Sequence, residues 1–349
     1  MSAAKPSERH ALKHVAIHLL IPLFLGVGMA LAYLGAFHQP SPQGVRVDVV
    51  GTSTQSKVIA QTLQDKLGSA VSIRTVPSQA TAVSLIEHRE LTAAFVPSAT
   101  KPTLLYTSAA SATTSSVVVP IFTAVADSQN LPLQLNDVVP VAAAGDPSGQ
   151  SIFFWLVGMT VGSYAAGVAI GAAGGALRLR RRIGLAVASS FATSALVAVV
   201  AGPIYHALPT HRVELFLLAW VYSLGIQLIG TGLHTFIGKL TTPAMTGLFV
   251  MLNFTTCGGI YAAALQPGFF GALHSFWNGA ALMEAGRDMT YFPALGITRQ
   301  VITLFLWLAA GLALVTAAGI TERRRAAARH VAAQVETAEE EELEEVVAA

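Results

Sequence analysis

Hydrophobic positions along the chain fall into two regimes. Residues 15–37, 151–177, 183–205, 213–237, 243–265 and 300–320 are nearly unbroken apolar runs, and crossing a bilayer takes ~20 such residues. Between the first two runs, over 38–150, apolar positions recur at the shorter spacings of strands and amphipathic helices. Residues 45–50 predict a strand closed by Gly51. Residues 54–67 predict a helix that buries Val58, Ile59, Leu63 and Leu67, with Gly68 as its stop. A strand over 71–76, a helix over 81–87 using Val83, Leu85 and Ile86, strands over 91–96 and 103–106, and a helix over 115–126 complete the pattern. Such alternation implies a small α/β layer with a partly parallel sheet, and about 110 residues is enough for one core. The fold class is therefore an α-helical polytopic membrane protein. Six transmembrane helices are expected, with an extracytoplasmic α/β domain between the first and second.

Composition narrows the field. Of 349 residues, 53% are hydrophobic and only 11% charged, against roughly 25% charged in average soluble domains. That balance excludes a disordered chain, a nucleic-acid binder and a free cytosolic enzyme. The net charge of +2 says less than its distribution. Lys5, Arg9 and Lys13 precede the first run, and Arg178, Arg180, Arg181 and Arg182 join the second to the third. Lys239 joins the fourth to the fifth, and Arg323, Arg324, Arg325 and Arg329 follow the sixth. Six spans put all these groups on one side, which the positive-inside rule makes the cytoplasm. The expected order is a cytoplasmic N-terminus (1–14), a first helix (15–37), the α/β domain (38–150), a five-helix membrane domain (151–320) and a cytoplasmic tail (321–349). That tail carries the acidic block Glu339 to Glu345. The first run reads as an uncleaved span rather than a signal peptide. Its length of about 23 residues exceeds a usual apolar core of about 7–15, and no small-residue cleavage site follows.

Candidate chemistry is sparse. The single cysteine, Cys257, excludes an internal disulfide and any paired-cysteine metal site. There is no GxxxxGK[ST] loop, no GxSxG elbow and no HExxH. No catalytic residue, metal site or cofactor is therefore assigned to this chain. Glu214 and His234 read as interfacial. Gln227 and Asn253 lie deeper, where interhelical hydrogen bonding or a substrate path would use them. Residues 266–298 mix Phe269, Phe270, Phe276, Trp277, Tyr291 and Phe292 with His274, Asn278, Glu284, Arg287 and Asp288. This stretch is too polar to span and too apolar for a free loop. A re-entrant element shielding a translocation route and a plain interfacial amphipathic helix both fit. By position, Gln227, Asn253, Phe276, Trp277 and Glu284 are the candidate substrate-path residues. Gly158, Gly162, Gly167, Gly171 and Gly175 stand at spacings that let another helix approach closely. They would serve a sliding or dimer surface, or ordinary packing within one bundle.

This order of parts resembles the membrane subunit of type-2 ABC exporters, and more closely the bacterial phage-infection protein (YhgE/Pip) branch. The residues that carry the likeness are His38 to Gly51, leaving the first span into a strand, and Leu91-Thr92-Ala93-Ala94-Phe95-Val96-Pro97. Cys257-Gly258-Gly259-Ile260-Tyr261 with Leu265-Gln266-Pro267, and Arg299 at the opening of the last span, add to it. The resemblance implies a multi-pass subunit of a bacterial plasma membrane, a homodimer or heterodimer in the lipid bilayer. It would export a hydrophobic or amphipathic substrate such as a lipid, drug or envelope precursor. Energy would come from a separate cytoplasmic P-loop ATPase holding ATP and Mg, with Arg178, Arg180, Arg181 and Arg182 as its contact. The alternative is a non-transporting scaffold or surface receptor acting through the α/β domain.

Overall fold

A computed structural model describes residues 8–348 except 39, 142–145, 147 and 209. In the α/β domain the sheet is built around β1 (Val45–Val50). β2 (Val71–Ser72) and β3 (Thr75–Val76) run parallel to β1 along one of its edges, and β4 (Ala93–Val96) runs parallel along the other. β5 (Thr103–Tyr106) continues antiparallel to β4, and β6 (Gln134–Asp137) lies parallel to β5. The strand expected over 71–76 is thus broken at Ile73-Arg74. Gln64 Oε1 accepts the Ile73 amide at 2.8 Å, and Asp48, fully buried in β1 and paired with Arg46 at 3.1 Å, accepts the Arg74 amide at 3.2 Å, so both amides bond side chains instead of the neighbouring strand. The polar strand β6 had no apolar alternation to announce it; its pairing with β5 forms it.

Helices α2 (Thr54–Leu67), α3 (Gln79–Glu87) and α4 (Ala112–Asp127) each start at a serine cap. Ser53, Ser78 and Ser111 accept the backbone N–H three residues on, satisfying donors that a helix start leaves open. One face of the sheet buries Val47, Val49, Phe95 and Leu104 under Ala60 and Leu63 of α2 and Val118 and Phe122 of α4. The other buries Ala94 and Leu105 under Ala82 and Ile86 of α3. On α2 the expected apolar stripe holds at Ile59 and Leu63, which pack into the first of these cores, and is corrected at Val58. Ala60 and Leu63 point inward, while Val58 is 58% exposed, because the helix rolls toward the residues that fit closest to β1.

Five segments are long and apolar enough to cross a membrane: Leu20–Phe37, Ser151–Ala176, Leu179–Ile204, Arg212–Thr256 and Thr298–Val335. They are carried by α1 (Glu8–Phe37), α5 (Ser151–Ala173), α6 (Leu179–Val199), α7 (Arg212–Ile237) with its continuation, and α12 (Thr298–Ala348). The runs expected at 213–237 and 243–265 form one stretch, turned at Gly238 with φ +53°. Past the turn come α8 (Thr241–Thr246), a π-helical segment Gly247–Leu252 and α9 (Asn253–Thr256). This second part is about 16 residues, below the ~20 of a full crossing. It stops at Thr256 because Gly258 adopts φ +77° and Gly259 lies against the Phe153 ring, where a Cβ would fall 2.1 Å from Cδ2. The helix expected over 300–320 runs on through the tail to Ala348, since its Ala-, Arg- and Glu-rich sequence has no breaker.

At the centre of the bundle lies α7, buried at nearly every position from Leu218 to Gly232. The segment 266–298 folds as α10 (Gly268–His274) and α11 (Asn278–Tyr291), and α11 is buried from Asn278 to Met283 and again from Ala285 to Asp288. A plain interfacial helix would leave one face free; α11 is packed against α5, α7, α9 and α12.

Candidate functional site at the junction of the two domains

The α/β domain rests on the segment that follows α9. Gln43 N donates to the Ala264 carbonyl at 2.8 Å and Thr113 Oγ1 to the Ile260 carbonyl at 2.6 Å. Leu265 joins the core under α2 and α4. On the opposite face of the sheet, α3 ends and Arg89 takes a left-handed conformation, φ +56°. Its guanidinium is thereby turned toward α11. Nη1 lies 2.5 Å from both Glu284 Oε2 and Asp288 Oδ1, and the guanidinium carbon stands 5.5 Å from the centre of the Phe292 ring. Arg287 donates from Nη1 to Glu284 Oε1 at 2.7 Å and from Nη2 to the Gly258 carbonyl at 3.0 Å. His274 donates from Nδ1 to the Thr256 carbonyl at 2.7 Å, leaving Nε2 3.9 Å from Glu284 Oε1. Gln300 of α12 donates to Asp288 Oδ2 at 2.9 Å.

Two guanidiniums and two carboxylates thus balance in one buried cluster, as buried charge requires. Burial pushes the Glu284 carboxyl up, but Arg89, Arg287 and His274 reverse this and hold it below the usual carboxylate range. For Asp288 burial outweighs Arg89, and its carboxyl is raised. Gly258 is required here twice over. Its positive φ disfavours a side chain, and a Cβ would stand 3.0 Å from His274 Cε1 and 3.2 Å from Glu284 Oε1. Beside the cluster is a cavity of about 70 Å³ bordered by His274, Trp277, Glu284, Arg299 and Gln300. Trp277 Nε1 and Gln300 Oε1 are buried without a partner among the described residues. The space suits water rather than an organic substrate.

From this cluster a polar seam runs into the bundle. Asn253, fully buried, donates from Nδ2 to Tyr222 OH at 2.9 Å and to Thr160 Oγ1 at 3.2 Å. One turn further, Ser163 donates to Ser223 at 2.7 Å, and the Gln227 amide reaches Ser189 Oγ at 2.5 Å. Trp220 Nε1 donates to Ser190 Oγ at 3.1 Å. At the far end Arg182 pairs with Glu322, which accepts from Thr235 Oγ1 at 2.7 Å. The seam is a series of small hydrogen-bonded groups set between α5, α6, α7, α9 and α12, and Asn253 Oδ1 is buried without a partner among the described residues.

Among the five candidate path residues, Gln227 and Asn253 lie in this seam and Glu284 in the junction cluster. Trp277 is buried against Trp307, with ring centres 5.2 Å apart. Phe276 is exposed and belongs to neither. The five glycines, four in α5 and Gly175 in the turn after it, divide by partner. Gly162 faces Thr193 of α6, Gly167 the backbone of Gln227, and Gly171 His234 of α7, while Gly158 meets Val197 at ordinary distance and Gly175 meets nothing. Arg178, Arg180 and Arg181 are exposed, but Arg182 is 3% exposed and occupied by Glu322, which withdraws it from any docking surface. Glu214 is exposed, and His234 meets Thr241 Oγ1 at 3.3 Å. Cys257 is fully buried.

Between α5 and α6, at the end nearer the α/β domain, lies a second cavity of about 480 Å³. Its walls are apolar and include Phe154, Trp155, Gly158, Leu196, Val197 and Tyr205. It exists because α6 widens there into a π-helical turn, Val200–Ile204, around Pro203. Among the described residues no group of three or more His, Cys, Asp and Glu side chains could hold a metal ion.

No family model matches this chain. No curated protein and no solved structure matches it either.

Sequence reasoning missed Arg89, Tyr222, Thr160 and Glu322. Arg89 lies in a short polar stretch after α3 with no motif around it. Tyr222 and Thr160 each read as one more residue in an apolar run. Arg287 and Asp288 were visible as charges in 266–298, but their partners were not.

Proposed function

We propose that this chain is the membrane subunit of an ABC-type exporter that moves a hydrophobic or amphipathic substrate outward, powered by a separate ATPase. The observation that carries this reading is the apolar cavity of about 480 Å³ between α5 and α6. It lies on the flank of a helix whose Leu196, Val199 and Ile204 are exposed, where a bilayer would supply the occupant. In this reading the chain crosses six times, the α8–α9 limb completing the fifth crossing and α10–α11 forming a re-entrant cap. Both termini and the arginine groups face the cytoplasm, and two subunits associate in the bilayer. Arg178, Arg180 and Arg181 then form the ATPase contact, and ATP with Mg binds on that partner. The polar seam behind the cavity corresponds to a resting state whose side-chain bonds exchange when the helices move.

The test is a cross-linked pull-down of the full-length chain from native membranes, probed for a stoichiometric P-loop ATPase. Recovery of one, lost on Arg178→Glu/Arg181→Glu while the chain stays folded, supports the reading. Failure to recover one, with efflux and envelope lipids unchanged by deletion, sinks it. The ion-paired seating of the α/β domain on α11 through Arg89 favours the second reading, a receptor or scaffold. An immobilised full-length chain would then retain an envelope component whether or not an ATPase is present.

A further inference from the structure

The strand order of the α/β domain reverses at one place. From β1 the chain leaves through α2 toward β2 on one side, and from β4, the parallel neighbour of β1, it leaves toward β5 on the other. Connections that depart in opposite directions leave a crevice beyond the carboxyl ends of the two strands, and open α/β sheets bind ligands in that crevice. Here it is open. A cleft of about 520 Å³ lies between the ends of β1 and β4, within the size range of small-molecule sites. Val50 and Ser53 border it from β1, Pro97 and Ser98 from β4, and Gln129 and Leu131 from the loop after α4.

The lining fixes the chemistry. Gln55 and Gln129 offer amide groups, Ser98 offers its hydroxyl proton while its oxygen accepts the Thr100 and Lys101 amides, Ser53 is held by its cap on α2, and no charged side chain is among those that border the cleft. Ile59, Phe95 and Leu131 supply an apolar floor. A phosphate or a free carboxylate would find no cation there, and an amine no carboxylate. We infer that this cleft is a binding site for a neutral ligand bearing hydroxyl and amide groups beside an apolar face, the chemistry of an N-acetylated sugar. The site is remote from the apolar cavity between α5 and α6 and does not depend on the transport reading.

Full-length protein in lipid nanodiscs is titrated with N,N′-diacetylchitobiose by calorimetry and saturation-transfer NMR, with inorganic phosphate as competitor. Saturable binding of the disaccharide is expected, indifferent to phosphate. Gln129→Ala, at an exposed position, weakens it about five-fold, the loss of one neutral hydrogen bond. Ala99→Trp, on the exposed loop after β4, fills the cleft and abolishes binding without touching the core. Absence of saturable binding overturns the assignment, as does binding that Ala99→Trp leaves unchanged. Displacement by phosphate overturns the neutral-ligand chemistry.

Discussion

The contact between α9 and α11 allows a substitution whose effect can be worked through. A Cβ added at Gly279 falls 1.9 Å from Asn253 Oδ1, 2.5 Å from Cγ and 2.7 Å from Nδ2. Asn253 is fully buried and Gly279 sits in the buried stretch of α11, so the asparagine must leave its place. It then loses its bonds to Tyr222 and Thr160. Interhelical hydrogen bonds in membrane bundles are worth ~0.6 kcal/mol each, and overpacking costs ~1–3 kcal/mol. Gly279→Ala should therefore destabilise by ~2–4 kcal/mol, a large share of an ordinary stability of ~5–15 kcal/mol. Asn253→Ala removes the obstacle and the two hydrogen bonds together. The double variant Asn253→Ala/Gly279→Ala is expected to recover ~1–2 kcal/mol relative to Gly279→Ala alone, as coupled neighbours do. Unfolding of the four proteins in one detergent, followed by tryptophan fluorescence, measures this. Strict additivity of the two single losses would refute the contact and with it the placement of α11.

The junction cluster carries a pH signature. Because the folded pKa of Glu284 lies below its ordinary value, its stabilisation is present above about pH 4.5 and is lost as pH falls from there toward the folded value. Hydrogen-exchange protection at residues 88–92, corrected for the intrinsic pH dependence of amide exchange, should fall over that range in the native chain and lose this component in Glu284→Gln, where Asp288 still faces Arg89; equal profiles would count against the pairing. Within α5, Gly167→Ala meets the Gln227 backbone at 2.9 Å and should cost ~1–3 kcal/mol. Gly175→Ala, in the turn just after α5, meets nothing within 4 Å and should leave unfolding unchanged, so equal losses would point to a partner helix on that face. Cys257, fully buried, should resist maleimide until the protein is denatured; labelling of the folded chain would show that α9 opens. With that thiol silent, Lys101→Cys and Arg180→Cys should label from opposite sides of sealed vesicles, and labelling from one side only would end the six-crossing arrangement.

Much of the fold could be read without coordinates, for a definable reason. A membrane helix satisfies its own backbone and needs only ~20 apolar residues to declare itself, so the runs at 151–177, 183–205 and 213–237 lie within a few residues of the helices. The same holds for β1, whose alternation is local, and for α2, α3 and α4 with their serine caps. Failures occur where a distant partner decides. Gln64 and Asp48 take the amides at 73–74, the side chains facing α2 decide which of its residues turn inward, and Gly258 and Gly259 end the helix at Thr256 because Phe153, His274 and Glu284 occupy the space beside them. For the site the gap is wider. Glu284, Arg287 and Asp288 stood out as charges in an apolar stretch, but Arg89, the cation that pairs with two of them, lies 199 positions from Asp288.

What the sequence determined by itself is the environment each segment suits: an apolar one for the long runs, and water on one face for the alternating ones. These follow from transfer free energies that act on each segment alone. The tertiary structure decided the pairings: which helix each glycine of α5 admits, which guanidinium neutralises Glu284, and where the sheet leaves a crevice. Those depend on close packing and on charges brought together from remote parts of the chain, and no local pattern encodes them.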